Sequence, residues 1–218
     1  MNNIQIWKDD NPISQSKYRH VLWQSIVLII VGLCTYTTIG IARHWGILIL
    51  GLLLFSLFIY LMTKFKFELF KPERIHKQTW VYIFTAAVLS LLVYWSIALI
   101  FGQPHNQIDV YDDLRSLPLY VSFIIFVILA PFFEELIFRG FIMKGIFKGH
   151  VLIGYVVSSV LFGLMHGPTS LSECLIYIGL GFVFGGVYLL TRRIEASMIC
   201  HALNNCAHIL IFVFIFNH

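Results

Sequence analysis

The sequence predicts an all-α, polytopic integral-membrane bundle of about seven transmembrane helices. Hydrophobic residues make up 59% of the 218 and charged residues only 12%, where a soluble domain carries about 25% charged. The mean hydropathy is +0.83. Several apolar stretches approach the roughly 20 residues needed to cross hydrocarbon, and the basic residues between them alternate from one side to the other.

The predicted spans are 21–42, 45–63, 79–101, 118–147, 151–167, 172–191 and 195–216. The fourth is long and the fifth short. Little chain lies outside them, so the sequence places function within the helices. Twelve basic residues fall in the N-terminal tail or in loops on one side: Lys8, Lys17, Arg19, Lys64, Lys66, Lys71, Arg74, Lys77, Lys144, Lys148, Arg192 and Arg193. The alternate loops carry two, Arg43 and Arg115, the latter beside Asp109, Asp112 and Asp113. This bias predicts a cytoplasmic N-terminus and an outside C-terminus in a bacterial-type cell membrane. The net charge of +4 is therefore no nucleic-acid signal. The first apolar run lacks a cleavage site and is expected to be a retained anchor.

Four cysteines (Cys34, Cys174, Cys200 and Cys206) are irregularly spaced. They fit neither a zinc pattern nor a disulfide framework, and are read as small buried hydrophobes. The chain is expected to divide into a tail (1–20), accessory helices and loops (21–116) and a working core (117–216), with the basic, proline-containing loop 64–78 as the natural break. Spans one to three carry almost nothing ionisable in their middles and read as packing or lipid-facing helices. No internal repeat is apparent.

The core is where polarity concentrates. Glu134, Glu135 and Arg139 lie in one hydrophobic run, and each ionisable group there costs about 2.5–3.5 kcal/mol on insertion scales. Glu135 and Arg139 stand at i, i+4, acid first, the spacing of a helical ion pair. That pairing makes Glu135 structural and leaves Glu134 as the candidate general base; the alternative is a Glu–Glu–Arg cluster that only locks packing. On span five, Tyr155, Ser159, Phe162 and His166 form a semi-polar stripe at i, i+4, i+7 and i+11. A helix running to residue 147 puts Glu134 about 20 Å from its end, and His166 lies about 22 Å from Val151. A tight turn near Lys148-Gly149 would bring the two level. Gly181 and Gly185 on span six form a small-xxx-small pattern and read as a packing wall for the site. On span seven, His201, Asn205 and His208 fall on one face at i, i+4 and i+7. His208 is the weakest member, since it could simply continue the stripe toward the outer surface. The histidines in loops and at span ends are read as non-functional.

Among intramembrane hydrolytic chemistries, a His-Glu-x-x-His zinc site is absent, and an aspartyl pair is excluded because every Asp falls in a tail or loop. Ser158 or Ser159 with His201 could form a serine site but leaves the glutamates unexplained. Glutamate, two histidines and an amide suit water activation with oxyanion stabilisation.

At these residues the sequence resembles the CPBP (Abi, CAAX protease and bacteriocin-processing) family of intramembrane endopeptidases, related to the Ras-converting CAAX endopeptidase. The resemblance rests on Glu134-Glu135-LIF-Arg139, Phe162-GLM-His166 and His201-ALN-Asn205, over roughly residues 118–216. It implies Glu134 as general base, His166 as the residue polarising the water, His201 and Asn205 as the oxyanion holders, and Glu135, Arg139 and Phe162 in support. The family's metallo label implies instead that Glu134, His166 and His201 hold Zn²⁺ with a water. Asn is a poor zinc ligand, so the metal-free water mechanism is preferred. The expected substrate is a membrane-bound peptide or protein, prenylated or not, cut near the cytoplasmic half of the bilayer. The rival readings are a non-enzymatic bacteriocin-immunity or regulatory protein that binds its target, and a small ion or proton transporter. Against the latter, no inverted repeat or paired broken helices are visible.

Overall fold

The computed structural model describes residues 12–42 and 44–216; the readings made on Lys8, Arg43, His218 and most of the N-terminal tail lie outside them. Eight helical elements follow one another, and no strand occurs among the described residues. α1 (Tyr18–Gly40), α2 (Trp45–Lys64) and α3 (Lys77–Phe101) match the first three predicted spans. α5 (Leu119–Ile146) is the long fourth span, and α6 (Val151–Met165) the short fifth. α7 (Leu171–Thr191) is followed by α8 (Ile194–Ile211), which runs on as a π-helical turn, Phe212–Phe216. Six of these helices are long and apolar enough to cross a membrane, with α6 as a shorter apolar seventh.

The remaining element is a departure from the sequence reading. Residues 102–117 are read from sequence as an outer loop. His105–Ser116 is instead a helix, α4. Twelve residues rich in Asp, Asn and Gln carry no apolar run, so hydropathy does not register them. Tyr111 and Leu114 nevertheless anchor it, packing in one cluster with Val127 of α5 and Ile209 and Phe212 of α8. The Tyr111 ring stacks on Phe212 at 4.7 Å between centroids.

α5 is the most buried of the spans, and α1–α3 are the least. Leu53, Leu92 and Leu99 of α2 and α3 are exposed, as lipid-facing residues would be. The α5–α6 hairpin turns at Gly149, whose φ of +86° is a left-handed conformation that glycine adopts without penalty. Lys148 holds the turn to the N-terminal segment by donating to Ser14 O and Ser16 O, 2.8 Å each. α6 ends at the sequence His166-Gly167-Pro168. Gly167 takes φ +61°, the usual C-terminal glycine stop, and proline cannot continue the helix. With 15 residues, α6 is about 22 Å long, short of the roughly 30 Å hydrocarbon core. Its cap residue, His166, thus ends a helix too short to cross the hydrocarbon core. α7 restarts with Ser170 as N-cap, its hydroxyl accepting from Glu173 N at 3.2 Å, while Glu173 accepts from Thr169 N at 2.8 Å. This is a variant of the capping box.

α7 packs against α6, α3 and α8. The glycine pattern read as a packing wall makes the first of these contacts. A Cβ on Gly181 would lie 2.6 Å from the backbone oxygen of Ser159, and one on Gly185 would lie 2.9 Å from the Tyr155 ring. Tyr155 donates to Phe182 O across the same seam. Gly181→Val is expected to force α6 and α7 apart at a cost of about 1–3 kcal/mol, lowering the thermal midpoint of the purified protein by several degrees. Gly46→Ala, at a site with nothing within 4 Å of the new Cβ, should leave that midpoint unchanged.

Candidate active site

α5 is not a uniform α-helix. Ile124–Leu129 and Leu136–Ile146 are π-helical, flanking an α-helical turn at Ala130–Glu135. In the wider register each N–H bonds five residues back, and such segments are frequent at functional sites. The Ala130 N–H bonds Ile125 O in this way. The next bond in the series would run from residue 131 to Phe126 O, but residue 131 is proline and has no N–H. Phe126 O accepts instead from Asn205 Nδ2 of α8, at 2.9 Å. Asn205 is thus fixed by a carbonyl that Pro131 leaves free.

The two glutamates have different surroundings. Glu135 is fully buried, and three side chains from two helices meet it. Its Oε2 lies 3.2 Å from Arg139 Nε and 2.5 Å from the Ser197 hydroxyl; its Oε1 lies 3.0 Å from His201 Nδ1. The hydroxyl also lies 2.8 Å from Phe184 O and can give its single proton to one of the two. Arg139, also fully buried, donates to Gly181 O at 2.6 Å and lies over the Phe162 ring at 4.9 Å. This is the i, i+4 pair expected from sequence. Ser197 is a participant the sequence reading missed; its place four residues before His201 on α8 is the signal that would have found it.

Glu134 has no cation partner among the described residues. Its Oε2 is buried without a hydrogen bond and faces His201 Nε2 at 3.9 Å. Because a carboxylate only accepts, the Glu135 contact places the Nδ1 proton on His201 and turns Nε2 toward Glu134. His166 is oriented in the same manner. Its Nδ1 donates to Phe162 O at 2.8 Å, leaving Nε2 for the cavity, and its ring stacks on Tyr177 at 4.4 Å. His201 stacks on Phe184 at 4.3 Å. The Phe162 ring touches both imidazoles, at 4.8 and 5.6 Å between centroids.

Glu134, His166, His201 and Asn205, from α5, α6 and α8, line a single cavity of about 280 Å³. Asn204 and His208 line it too. Asn204 Oδ1 accepts from Ser90 of α3 at 2.8 Å, and its Nδ2 donates to Asn205 Oδ1 at 3.2 Å. His208 does not run out to the surface. It is buried, packed against Tyr94 and Trp95, and neither ring nitrogen has a hydrogen-bond partner among the described residues. A polar group left in that state costs about 1–3 kcal/mol. Helices read as accessory also reach the site, since Tyr36 of α1, Tyr94 of α3 and five residues of α4 line the cavity. Neither Ser158 nor Ser159 does, and Ser158 is bonded within its own helix to Tyr155 O, so the serine alternative has no geometric support.

Most of the lining residues lie toward the helix ends that adjoin α4 and the 167–170 turn, while His201 lies seven residues from the start of α8, nearer the opposite end. No three His, Cys, Asp or Glu side chains among the described residues are grouped so as to hold a metal ion.

Residues 116–207 match the family model described as type II CAAX prenyl endopeptidase Rce1-like. Over this segment the chain is similar to that family. The CPBP resemblance is thereby shown, and the chain is an integral membrane protein similar to membrane peptidases. It is 28% identical over 155 residues to the "Membrane-embedded CAAX protease MroQ" of Staphylococcus aureus (strain USA300), covering 66% of this chain and 61% of that protein. It is 30% identical over 104 residues to the "Putative membrane peptidase YdiL" of Bacillus subtilis (strain 168), covering 47% of this chain and 41% of that protein. The chain thus spans about four-tenths and six-tenths of the lengths of these relatives. No solved structure matches it significantly.

Removing one member of a buried ion pair strands the other charge, at about 3–5 kcal/mol. Arg139→Met is therefore expected to lower the thermal midpoint sharply. Glu135→Gln/Arg139→Met should be less damaging than the sum of the two single substitutions. A double-mutant cycle on the purified protein measures the difference.

Proposed function

We propose that the protein is an intramembrane endopeptidase that hydrolyses a peptide bond in a membrane-associated peptide or protein, with residues 117–216 as its catalytic core. The observation that carries this reading is the convergence of the Glu134 carboxylate, two oriented imidazoles and the Asn205 amide on one cavity.

In this mechanism Glu134 takes a proton from a water molecule that attacks the scissile carbonyl. The 3.9 Å between Glu134 Oε2 and His201 Nε2 exceeds a direct hydrogen bond and suits a bridging water. His166, with its Nδ1 proton committed to Phe162 O, accepts from that water through Nε2 and orients it. The oxyanion is held by the second Nδ2 proton of Asn205, the first being on Phe126 O, and by His201 Nε2 carrying the proton that Glu134 relays to it from the water. That proton then returns through Glu134 to the leaving amine as the C–N bond breaks, which restores the carboxylate and the neutral imidazole. Glu135, Arg139 and Phe162 are positioning residues that aim His201 and wall the site. No step passes through a metal ion, in keeping with the donor set. In this reading the basic loops face the cytoplasm, and the N-terminus with them.

Glu134→Gln is expected to abolish cleavage of a membrane-peptide substrate while leaving the thermal midpoint near that of the unmodified protein. A chelator should not reduce the activity. Full activity in the Gln variant would remove the proposed base, and loss to chelator would return a metal to the site. A phenotype that survives substitution of both Glu134 and His166 would favour the target-binding, immunity-type reading instead.

A further inference from the structure

The cavity extends beyond the residues that the peptidase reading uses. Asn106, Asp109, Val110 and Asp113 of α4 line its mouth, on one helical stripe at i, i+3, i+4 and i+7. The lining includes three carboxylates, Asp109, Asp113 and Glu134, and no lysine or arginine. Arg115, the basic residue of α4 nearest to them in sequence, is turned elsewhere: it pairs with Asp112 at 2.8 Å and lies over the Phe212 ring. Beneath this mouth sits His208, 4% exposed, with both ring nitrogens lacking a protein partner among the described residues. It follows His201 by seven residues on α8, which places it about 10 Å farther along the helix, toward α4. That distance equals about three residues of extended peptide at roughly 3.3 Å each. His208 and the α4 residues that line the cavity lie outside the segment that matches the Rce1-like model, residues 116–207.

We propose that this outer part of the cavity is a substrate subsite. In it His208 hydrogen-bonds the peptide backbone, and the carboxylates of α4, Asp109 foremost, select a cationic residue about three positions from the bond that is cut. A neutral imidazole offers one donor and one acceptor, the same complement that a peptide unit presents in reverse. A lysine or arginine entering beside the Asp109 carboxylate meets complementary potential, which sets specificity more than raw affinity. The proposal rests on the peptidase reading for the identity of the ligand as a peptide, but its test does not require catalysis.

The probe is a fluorescein-labelled apolar dodecapeptide carrying a single Lys, Ala or Glu at its centre. Binding is measured by polarisation to the Glu134→Gln protein in nanodiscs of zwitterionic lipid, with empty nanodiscs as control. The Lys peptide should bind about tenfold tighter than the Glu peptide. Asp109→Asn/Asp113→Asn, on a helix at the membrane face, should bring the ratio to within about twofold without moving the thermal midpoint. His208→Ala should weaken all three peptides alike and leave the Lys preference in place. Equal binding of the three peptides, a ratio that survives the double Asn substitution, or no binding of any peptide overturns the proposal. A Lys preference in a protein that hydrolyses nothing when Glu134 is intact would sink the peptidase reading and leave the subsite standing.

Discussion

The Glu135 carboxylate is the fixed point of this molecule. A buried ion of this kind is costly in a membrane, and its cost is offset only if its lone pairs are satisfied. Arg139, Ser197 and His201 satisfy them from α5 and α8, and Arg139 extends the connection to the α7 backbone at Gly181. Three helices are thus held in one register by charge. The same contact decides which nitrogen of His201 carries the proton, so a packing requirement also sets the orientation of a site residue. The burial of Glu135 and the chemical availability of Glu134 are two aspects of one arrangement.

Much of this was legible in the sequence. The spans are long apolar runs, and hydropathy depends only on local composition, so predicted and observed boundaries differ by a few residues at most. The Glu135–Arg139 pair follows from helical spacing. The level placement of Glu134 and His166 follows from counting residues through a tight turn at Gly149. What was not legible depends on long-range contact or on weak local signal. α4 carries no apolar run, and it folds as it does because Tyr111 and Leu114 find Ile209 and Phe212, about a hundred residues away. Tyr36, Tyr94 and Ser90 look like ordinary residues of apolar helices until α1 and α3 are laid against α8. Sequence could place Glu134 and His166 level with one another, but which helix ends converge on the cavity depends on long-range packing.

The short α6 has a structural role of its own. His166 occupies the C-cap, where Gly167 and Pro168 stop the helix, so its depth is set by the length of α6 and not by a side chain reaching inward. The space left above that cap is bordered by α4. Lining residues from α4 give the cavity a polar mouth while the walls below are aromatic, with Phe162, Phe184 and Tyr177 holding the two imidazole planes. A peptide entering from that side would pass carboxylates before it reached the rings.

The bond that Pro131 cannot make has a wider implication. This residue does not border the cavity, yet its imino nitrogen leaves Phe126 O open to a partner from α8 and so sets the aim of an amide some distance away. Function in such a helix can depend on a donor that is missing as much as on one that is present. A search for determinants of the site confined to side chains in contact with a ligand would pass over Pro131 altogether.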